Sequence, residues 1–189
     1  IWMIKRIMRK ILDKYKDEVR FVLLGNLFEI SQAFEKDSYE RHDFIALDMY
    51  ALKQASLQLD IGLCPLDDIE FNRAKSQLKW SEYAALRIPS VCSKLEPYDC
   101  VEDGVTGLLA KDEDEFFQKL CALIEDAKLR KTISDNAFEE NYENYNLEKN
   151  AILWVEAYEQ AREISESHVL VKEVLEKDTP KILQTSDIK

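Results

Sequence analysis

The sequence predicts an α/β protein in which a parallel sheet is covered by helices on both faces. Short apolar runs alternate with segments of helical period over residues 2–110, and the chain is helical after that point. With 46% hydrophobic and 33% charged residues among 189, the composition is that of an ordinary globular protein. In such a sheet the functional loops follow the carboxyl ends of the strands, so the site is expected there.

The apolar runs and the amphipathic segments give the individual elements. Five runs bounded by turns or a proline are predicted strands, at residues 20–25, 43–47, 61–65, 88–92 and 106–110. The predicted helices cover residues 2–15, 48–59, 72–87, 113–126, 127–142 and 147–163, with Asp48 as an expected N-cap. Residues 164–176 keep a helical period and 186–189 are expected to fray. We therefore expect one domain over residues 1–163, followed by a C-terminal helix and tail over 164–189.

Composition and charge exclude several common kinds of binding site. Only 4 glycines occur, and no Gly-rich phosphate loop of the GxGxxG or GxxxxGK type is present. The net charge of -11 argues against nucleic-acid binding, which needs a basic surface. Residues 1–20 are the exception, because they hold seven basic and three acidic side chains. The first helix therefore has a basic face, and its contact with an anionic membrane surface is a hypothesis.

Cysteine spacing and the start of the chain bear on its location. Cys64, Cys92, Cys100 and Cys121 show no CxxC spacing, so reduced core thiols in a cytosolic protein are expected. No apolar run has the length of a membrane span, and no signal peptide is visible. Because the chain begins with Ile1 rather than methionine, we interpret it as a fragment.

Three segments in a fixed order carry a resemblance to a known family. They are DIGLCPL at 60–66, KWSEYAALRIPSV at 79–91 and DGVTGLL at 103–109. Together they resemble the donor-binding domain of GT-B glycosyltransferases of the family 4, or group 1, type, over residues 2–158. The resemblance implies a Rossmann-like parallel sheet, the C-terminal half of the GT-B fold. It also implies that the first strand of this sheet and the N-terminal, acceptor-binding domain lie outside the chain.

The resemblance implies an activity as well as a fold. Similar enzymes transfer a sugar from a nucleotide diphosphate donor to a saccharide or lipid-linked acceptor in polysaccharide biosynthesis, and retention at the anomeric carbon is expected. The chain alone should bind the donor weakly and catalyse little, because donor and acceptor are not brought together. No metal or other cofactor is expected, and Asp67 and Asp68 are interpreted as a solvated loop. The expected location is cytoplasmic, with peripheral contact at the inner membrane face as the added hypothesis.

Glu82 is the residue with the clearest implied role. It matches the second glutamate of the E-x7-E pair of the family, where a carboxylate accepts hydrogen bonds from the two hydroxyls of a ribose. A solvated helix residue is the alternative. Ala74 stands where the first glutamate would be, and in the family that carboxylate touches the donor sugar. The identity of the sugar is therefore left open.

The remaining candidates for donor binding surround this position. Basic and polar side chains crowd one turn and suit a diphosphate or an acidic sugar, namely Asn72, Arg73, Lys75, Ser76 and Lys79. The alternative is a basic, solvated helix end. Tyr98 follows the fourth strand, where it either lines the pocket or belongs to an ordinary turn.

Two other functions compete with sugar transfer. One is a GT-B-type nucleotide-sugar epimerase. The other is a non-catalytic scaffold or binding module that keeps the fold without the chemistry, and the alanine at position 74 favours this second alternative.

Overall fold

The structure is a computed structural model that describes residues 2–25, 34, 39–42 and 45–178, with side chains for all of these except Trp2 and residues 168–178. The described chain divides into two compact units, Ile1–Tyr145 and Asn146–Lys189. The predicted frayed end at 186–189 lies outside the described residues.

The first unit alternates helices with short strands, as the sequence pattern predicts. In chain order its elements are α1 (Trp2–Tyr15), β1 (Phe21–Leu24), β2 (Tyr39–His42), α2 (Leu47–Ser56), β3 (Gly62–Cys64), α3 (Glu70–Arg73), α4 (Leu78–Ala85), β4 (Ser90–Ser93), β5 (Leu108–Ala110), α5 (Glu113–Glu125) and α6 (Ala127–Tyr145). Short 3-10 turns follow α1 at Lys16–Glu18 and β4 at Glu96–Tyr98.

All strands of the described residues pair in parallel, and they form two sheets. One sheet joins β1 to β2, with Phe21 opposite Tyr39. The other has the order β3-β4-β5, with Gly62 opposite Ser90 and Val91 opposite Leu108. The predicted α/β class with parallel strands and flanking helices is confirmed, and in the described residues the sheet is in two parts.

Helices cover both faces of the three-stranded sheet, as the alternation along β4 shows. Val91 is fully buried in a core that it shares with α1 and α5. The next residue, Cys92, is also fully buried, but in a second core with Trp80 of α4 and Ala137 of α6. Since successive side chains of a strand point to opposite faces, each core lies on its own side of the sheet. All four cysteines are free thiols.

The strands β1 and β3 border a cleft, which we call the inter-sheet cleft. Every residue of 18–24 and of 63–67 lines it. An unbroken run of lining residues marks the edge of a strand, because side chains alone would line the cleft only at alternate positions. In the part of the chain that the structure describes, neither of these inner edges pairs with a further strand. Ile4 and Met8 of α1 and Leu120 of α5 add apolar lining.

The second strand lies earlier in the chain than predicted. The apolar run at 43–47 predicted it, but β2 is Tyr39–His42, residues 43 and 44 are outside the described residues, and α2 begins at Leu47. The strand has the sequence YERH and leaves all its side chains at least partly exposed. Strands were predicted from runs of apolar residues, which mark buried strands. This polar strand at the edge of a sheet has no such run.

Two helix predictions also need correction. The single helix predicted over residues 72–87 is interrupted, because α3 ends at Arg73 and α4 begins at Leu78. The intervening residues 74–77 read AKSQ and carry no large apolar side chain, so a continuous helix would bury nothing there. The expected N-cap is wrong too, since Ala46 holds that position and Asp48 lies in the first turn of α2.

Helix α4 ends in a Schellman motif whose left-handed residue is Arg87. The amide of Arg87 donates to the carbonyl of Ala84 at 3.0 Å, and the amide of Ile88 donates to that of Tyr83 at 2.9 Å. Arg87 has a φ of 55°, a conformation that usually selects glycine. Its guanidinium lies 3.7 Å from the centroid of the Phe138 ring, and this contact compensates in part for the backbone strain.

Comparing two substitutions at Arg87 is expected to isolate that strain. Arg87→Gly and Arg87→Ala both remove the contact with Phe138, but only glycine tolerates the positive φ at no steric cost. The glycine variant should therefore be the more stable of the two, by about 1 kcal/mol. Urea unfolding of both variants measures the difference, and equal midpoints would contradict the strain argument.

The second unit consists, in its described part, of one long helix, α7 (Leu147–Asp178). The side chain of Asn146 caps its start by accepting a hydrogen bond from the amide of Lys149 at 3.1 Å. The helix is continuous across residues 163 and 164, where the sequence placed a domain boundary. The division of the chain into domains at that point stays a prediction.

Candidate functional site

The inter-sheet cleft is the candidate functional site, because it brings polar side chains together at the ends of the strands. Its volume is about 1150 Å³. Besides the apolar lining described above, it has a polar part formed by Tyr50, Asn72, Lys75, Ser76, Lys79, Glu82 and Tyr98. Six of the seven sequence-predicted donor-binding residues are in this set, and Tyr50 is an addition.

Helix α4 positions Glu82 and Lys79 by burying its opposite side. Trp80 and Ala84 pack into the core, with 0% and 1% of their surface exposed. Lys79 and Glu82 are three residues apart and therefore neighbours on the helix surface. The Lys79 ammonium donates a hydrogen bond to Oε2 of Glu82 at 2.7 Å. The Glu82 side chain is 25% exposed and lines the cleft. The ribose contact of Glu82 stays a prediction, with a solvated helix residue as the alternative.

Lys79 is a half-buried cation with two protein acceptors. Besides Glu82, it donates to the Tyr50 hydroxyl at 2.8 Å. Burial acts to lower the pKa of the Lys79 ammonium, but the hydrogen bonds to Glu82 and Tyr50 outweigh it, and the pKa lies above its ordinary value. The ammonium therefore stays charged at neutral pH, beside an acidic side chain on the lining of the cleft.

The connection between α3 and α4 forms another side of the polar part. Asn72 is buried, and its side-chain amide donates to the carbonyl of Asp67 at 2.8 Å, which fixes the loop after β3 against α3. Lys75 and Ser76 are exposed and line the cleft. The Lys75 ammonium lies 5.1 Å from the centroid of the Phe71 ring. A second cation and a hydroxyl are thus available to an anionic ligand near Lys79.

Arg73 is the predicted site residue that the structure does not bring into this cleft. Its guanidinium donates to Oδ1 of Asp68 at 2.7 Å and forms an ion pair with Glu96. These contacts connect α3 to the loops after β3 and β4, and Arg73 lines a smaller hollow of about 560 Å³. Arg73 follows Asn72 directly, and successive residues of a helix point about 100° apart, so the two side chains diverge. Its proposed contact with a diphosphate stays a prediction.

Tyr98 is a buried member of the polar part and ends the 3-10 turn Glu96–Tyr98. It is 3% exposed and belongs to the core that contains Cys64 and Cys92. Burial first, and then these thiols, raise the pKa of the Tyr98 phenol well above its ordinary value, so the phenol is neutral. The residue lines the cleft as a packed, uncharged wall.

Tyr50 and Tyr83 are cleft residues that the sequence did not reveal. Tyr50 lies on α2, 29 residues before Lys79, and no motif marks it. Tyr83 is adjacent to Glu82, and its ring packs so closely on Gly62 that a Cβ atom at position 62 would clash with it. A glycine at the start of β3 was the one signal of this close approach.

The fold and the cleft together define an α/β domain that presents a carboxylate, two ammonium groups and hydroxyls at the ends of parallel strands. The model of the family described as "Glycosyl transferases group 1" matches residues 1–126, and the chain belongs to that family. A search of curated proteins found no significant match.

Solved structures show the same fold. The C-terminal domain of a glycosyl transferase group 1 family protein, LpcC of Francisella tularensis, is 22% identical, with a TM-score of 0.61 over 76% of this chain and 77% of that domain. A mutant of TarM of S. aureus, in complex with Fondaparinux, alpha-GlcNAc-glycerol and UDP, is 15% identical, with a TM-score of 0.65 over 82% of this chain. HepE of Anabaena, in complex with UDP-glucose, is 18% identical, with a TM-score of 0.67 over 84% of this chain. The chain spans only 31% of TarM and 46% of HepE.

Proposed function

We propose that the polar part of the inter-sheet cleft binds a nucleotide diphosphate sugar, and that the whole protein transfers this sugar with retention to a saccharide or lipid-linked acceptor. The observation that carries the proposal is the placement of Glu82 beside Lys79 in the cleft. A carboxylate can accept hydrogen bonds from the two ribose hydroxyls, and an ammonium can bind diphosphate oxygens. The bound UDP and UDP-glucose in the HepE structures support this class of ligand.

The other polar residues either bind the ligand or shape the cleft in this proposal. Lys75, Ser76 and Lys79 bind the diphosphate and stabilise the charge of the leaving nucleotide electrostatically. Asn72 holds the loop after β3, and Tyr98 closes the inner wall. This scheme uses only protein groups, so neither a metal nor another cofactor is part of the proposal.

The acceptor is bound by a further domain outside this chain, in keeping with the short span of TarM and HepE that the chain covers. Within the described residues the inner edges of β1 and β3 pair with no further strand, and this supports the expectation that another strand completes the sheet. Because the reactants must be held together for transfer, we expect the chain alone to bind the donor but to catalyse little.

The place of action is proposed as the cytoplasm, for a protein of polysaccharide biosynthesis. In the described part of the chain, no helix is both long and apolar enough to cross a membrane. Peripheral contact through α1 is the weaker proposal. Arg6, Lys10 and Lys14 of its basic face form ion pairs with acidic side chains of α5. These pairs leave less positive charge for anionic lipids.

A non-catalytic binding module is the second candidate function, and Ala74 favours it. This residue is exposed directly after α3, close in sequence to Lys75 and Ser76, and it offers no carboxylate to a donor sugar. A module of this kind keeps the fold of the family without turnover.

A nucleotide-sugar screen tests the proposed function. The full chain is titrated calorimetrically with UDP-, GDP- and ADP-glucose, and its melting temperature is measured with each. We expect saturable binding of one nucleotide class and a higher melting temperature in its presence, because a ligand that binds only the folded state stabilises it. The absence of binding to all three would contradict donor binding and favour the non-catalytic module.

A further inference from the structure

Tyr50 is connected to the site by one hydrogen bond and belongs to α2, a helix that leaves several large apolar side chains exposed. Leu47, Met49 and Leu52 of α2 are 91%, 51% and 65% exposed, whereas Tyr50 lines the inter-sheet cleft. Its hydroxyl accepts from the Lys79 ammonium at 2.8 Å, and the same ammonium lies 5.2 Å from the centroid of its ring. The side chain therefore contacts Lys79 through its hydroxyl, and the ammonium lies beyond the hydroxyl end of the ring.

We propose that Tyr50 is a positioning residue whose hydroxyl fixes Lys79, and through it Glu82, so that the cleft recognises a vicinal diol next to a diphosphate. This inference rests on the proposed function, which it extends from Glu82 and Lys79 to a third side chain on a separate helix.

The donor and acceptor inventory of the three side chains carries the proposal. An ammonium has three N–H donors, and in the described part of the chain Lys79 uses two of them on Tyr50 and Glu82. The third donor is left for an anionic oxygen of a ligand. Lys79 binds Oε2 of Glu82, so Oε1 remains, and its two lone pairs can accept hydrogen bonds from both hydroxyls of a diol. A single ligand that carries an anionic diphosphate oxygen and a neighbouring diol matches this arrangement.

Conformational freedom explains why a second anchor matters. A lysine side chain has four rotatable bonds, and holding it in place costs up to about 2 kcal/mol of entropy. A single ion pair with Glu82, on a partly exposed helix surface, restrains it weakly. The hydrogen bond to the Tyr50 hydroxyl restrains the Lys79 side chain before the ligand binds. Binding therefore costs less side-chain entropy. The paired Lys79 also offsets the negative charge of Glu82, which would otherwise repel a diphosphate.

The test uses Tyr50→Phe, which removes the hydroxyl and keeps the ring. Dissociation constants are measured for UDP, GDP and ADP and for their 2′-deoxy forms, which lack one hydroxyl of the diol. For the nucleotide that binds, we expect the ribose form to bind roughly three- to tenfold more weakly to the variant. The 2′-deoxy form should be affected less, so that discrimination between the two decreases. The melting temperature should not change, and in a Lys79→Met background Tyr50→Phe should have no further effect.

Tyr158→Phe is the matched control, because it removes the hydroxyl of an exposed tyrosine of α7 that does not line the cleft. It should leave the discrimination intact. Equal affinities of wild type and Tyr50→Phe overturn the inference, and so does an equal loss for both forms of the nucleotide. If wild type binds none of the nucleotides, the proposed function fails together with the inference. If wild type binds and Glu82→Gln weakens binding while Tyr50→Phe does not, the inference fails alone.

Discussion

Replacing Trp80 with alanine is expected to destabilise the first unit by about 3–5 kcal/mol, a large share of the stability of a typical domain. The indole is fully buried between β3–β4–β5 and α6, and its Nε1–H donates to the carbonyl of Thr106 at 2.9 Å. Its ring also meets that of Tyr145 edge-on, with centroids 5.9 Å apart. Alanine would leave a cavity the size of the indole and an unpaired carbonyl.

The chain provides a matched control for this substitution. Trp154 on α7 is 61% exposed, and Trp154→Ala should change the free energy of unfolding by no more than about 0.5 kcal/mol. Urea unfolding followed by circular dichroism gives the overall loss, and hydrogen exchange of the β3–β5 amides assigns it to the first unit. Similar losses for the two tryptophans would contradict the assigned core.

The second large effect concerns ligand binding, and it depends on Glu82. Glu82→Gln keeps the size of the side chain but removes the charge, and hydrogen bonds to charged groups are stronger than neutral ones. We expect the affinity for the nucleotide sugar identified by the screen to decrease roughly ten- to hundredfold. Stability should change little, because the Glu82–Lys79 pair is partly exposed.

A substitution at a second acidic residue distinguishes loss of the Glu82 contact with the ligand from a general effect of the changed net charge. Glu70 on α3 is exposed and does not line the cleft, so Glu70→Gln changes the charge by the same amount at a nearby position. Calorimetric titration of both variants should show weak binding by Glu82→Gln and wild-type binding by Glu70→Gln. Unchanged or tighter binding by Glu82→Gln would exclude the ribose contact.

Most of the fold could be predicted because buried strands and amphipathic helices leave periodic apolar patterns. Helix α1 has the bounds that its apolar stripe predicts, and four of the five predicted strands overlap observed ones. The polar strand β2 escaped prediction since an edge strand needs few apolar side chains. The break before α4 escaped it because periodicity does not report short interruptions between helical segments.

Most of the candidate site was predictable because its residues are close in sequence. Asn72, Lys75, Lys79 and Glu82 lie within eleven positions, and α3, α4 and their connection bring them to one cleft. The direction in which the Arg73 side chain points depends on its position around α3 and on its ion pairs with carboxylates of two loops. A sequence pattern specifies neither. Tyr50 reaches Lys79 through a tertiary contact between separate helices, and such contacts leave no local signal.

The two inner strands have a consequence for handling the chain in solution. In the described part of the chain, the inner edges of β1 and β3 pair with no further strand, so an extended segment of another molecule could pair with them. Apolar side chains beside these edges would stabilise such an association between molecules. The net charge of -11 opposes it by mutual repulsion between molecules, and added salt removes that protection. Ionic strength therefore governs whether concentrated samples stay dispersed.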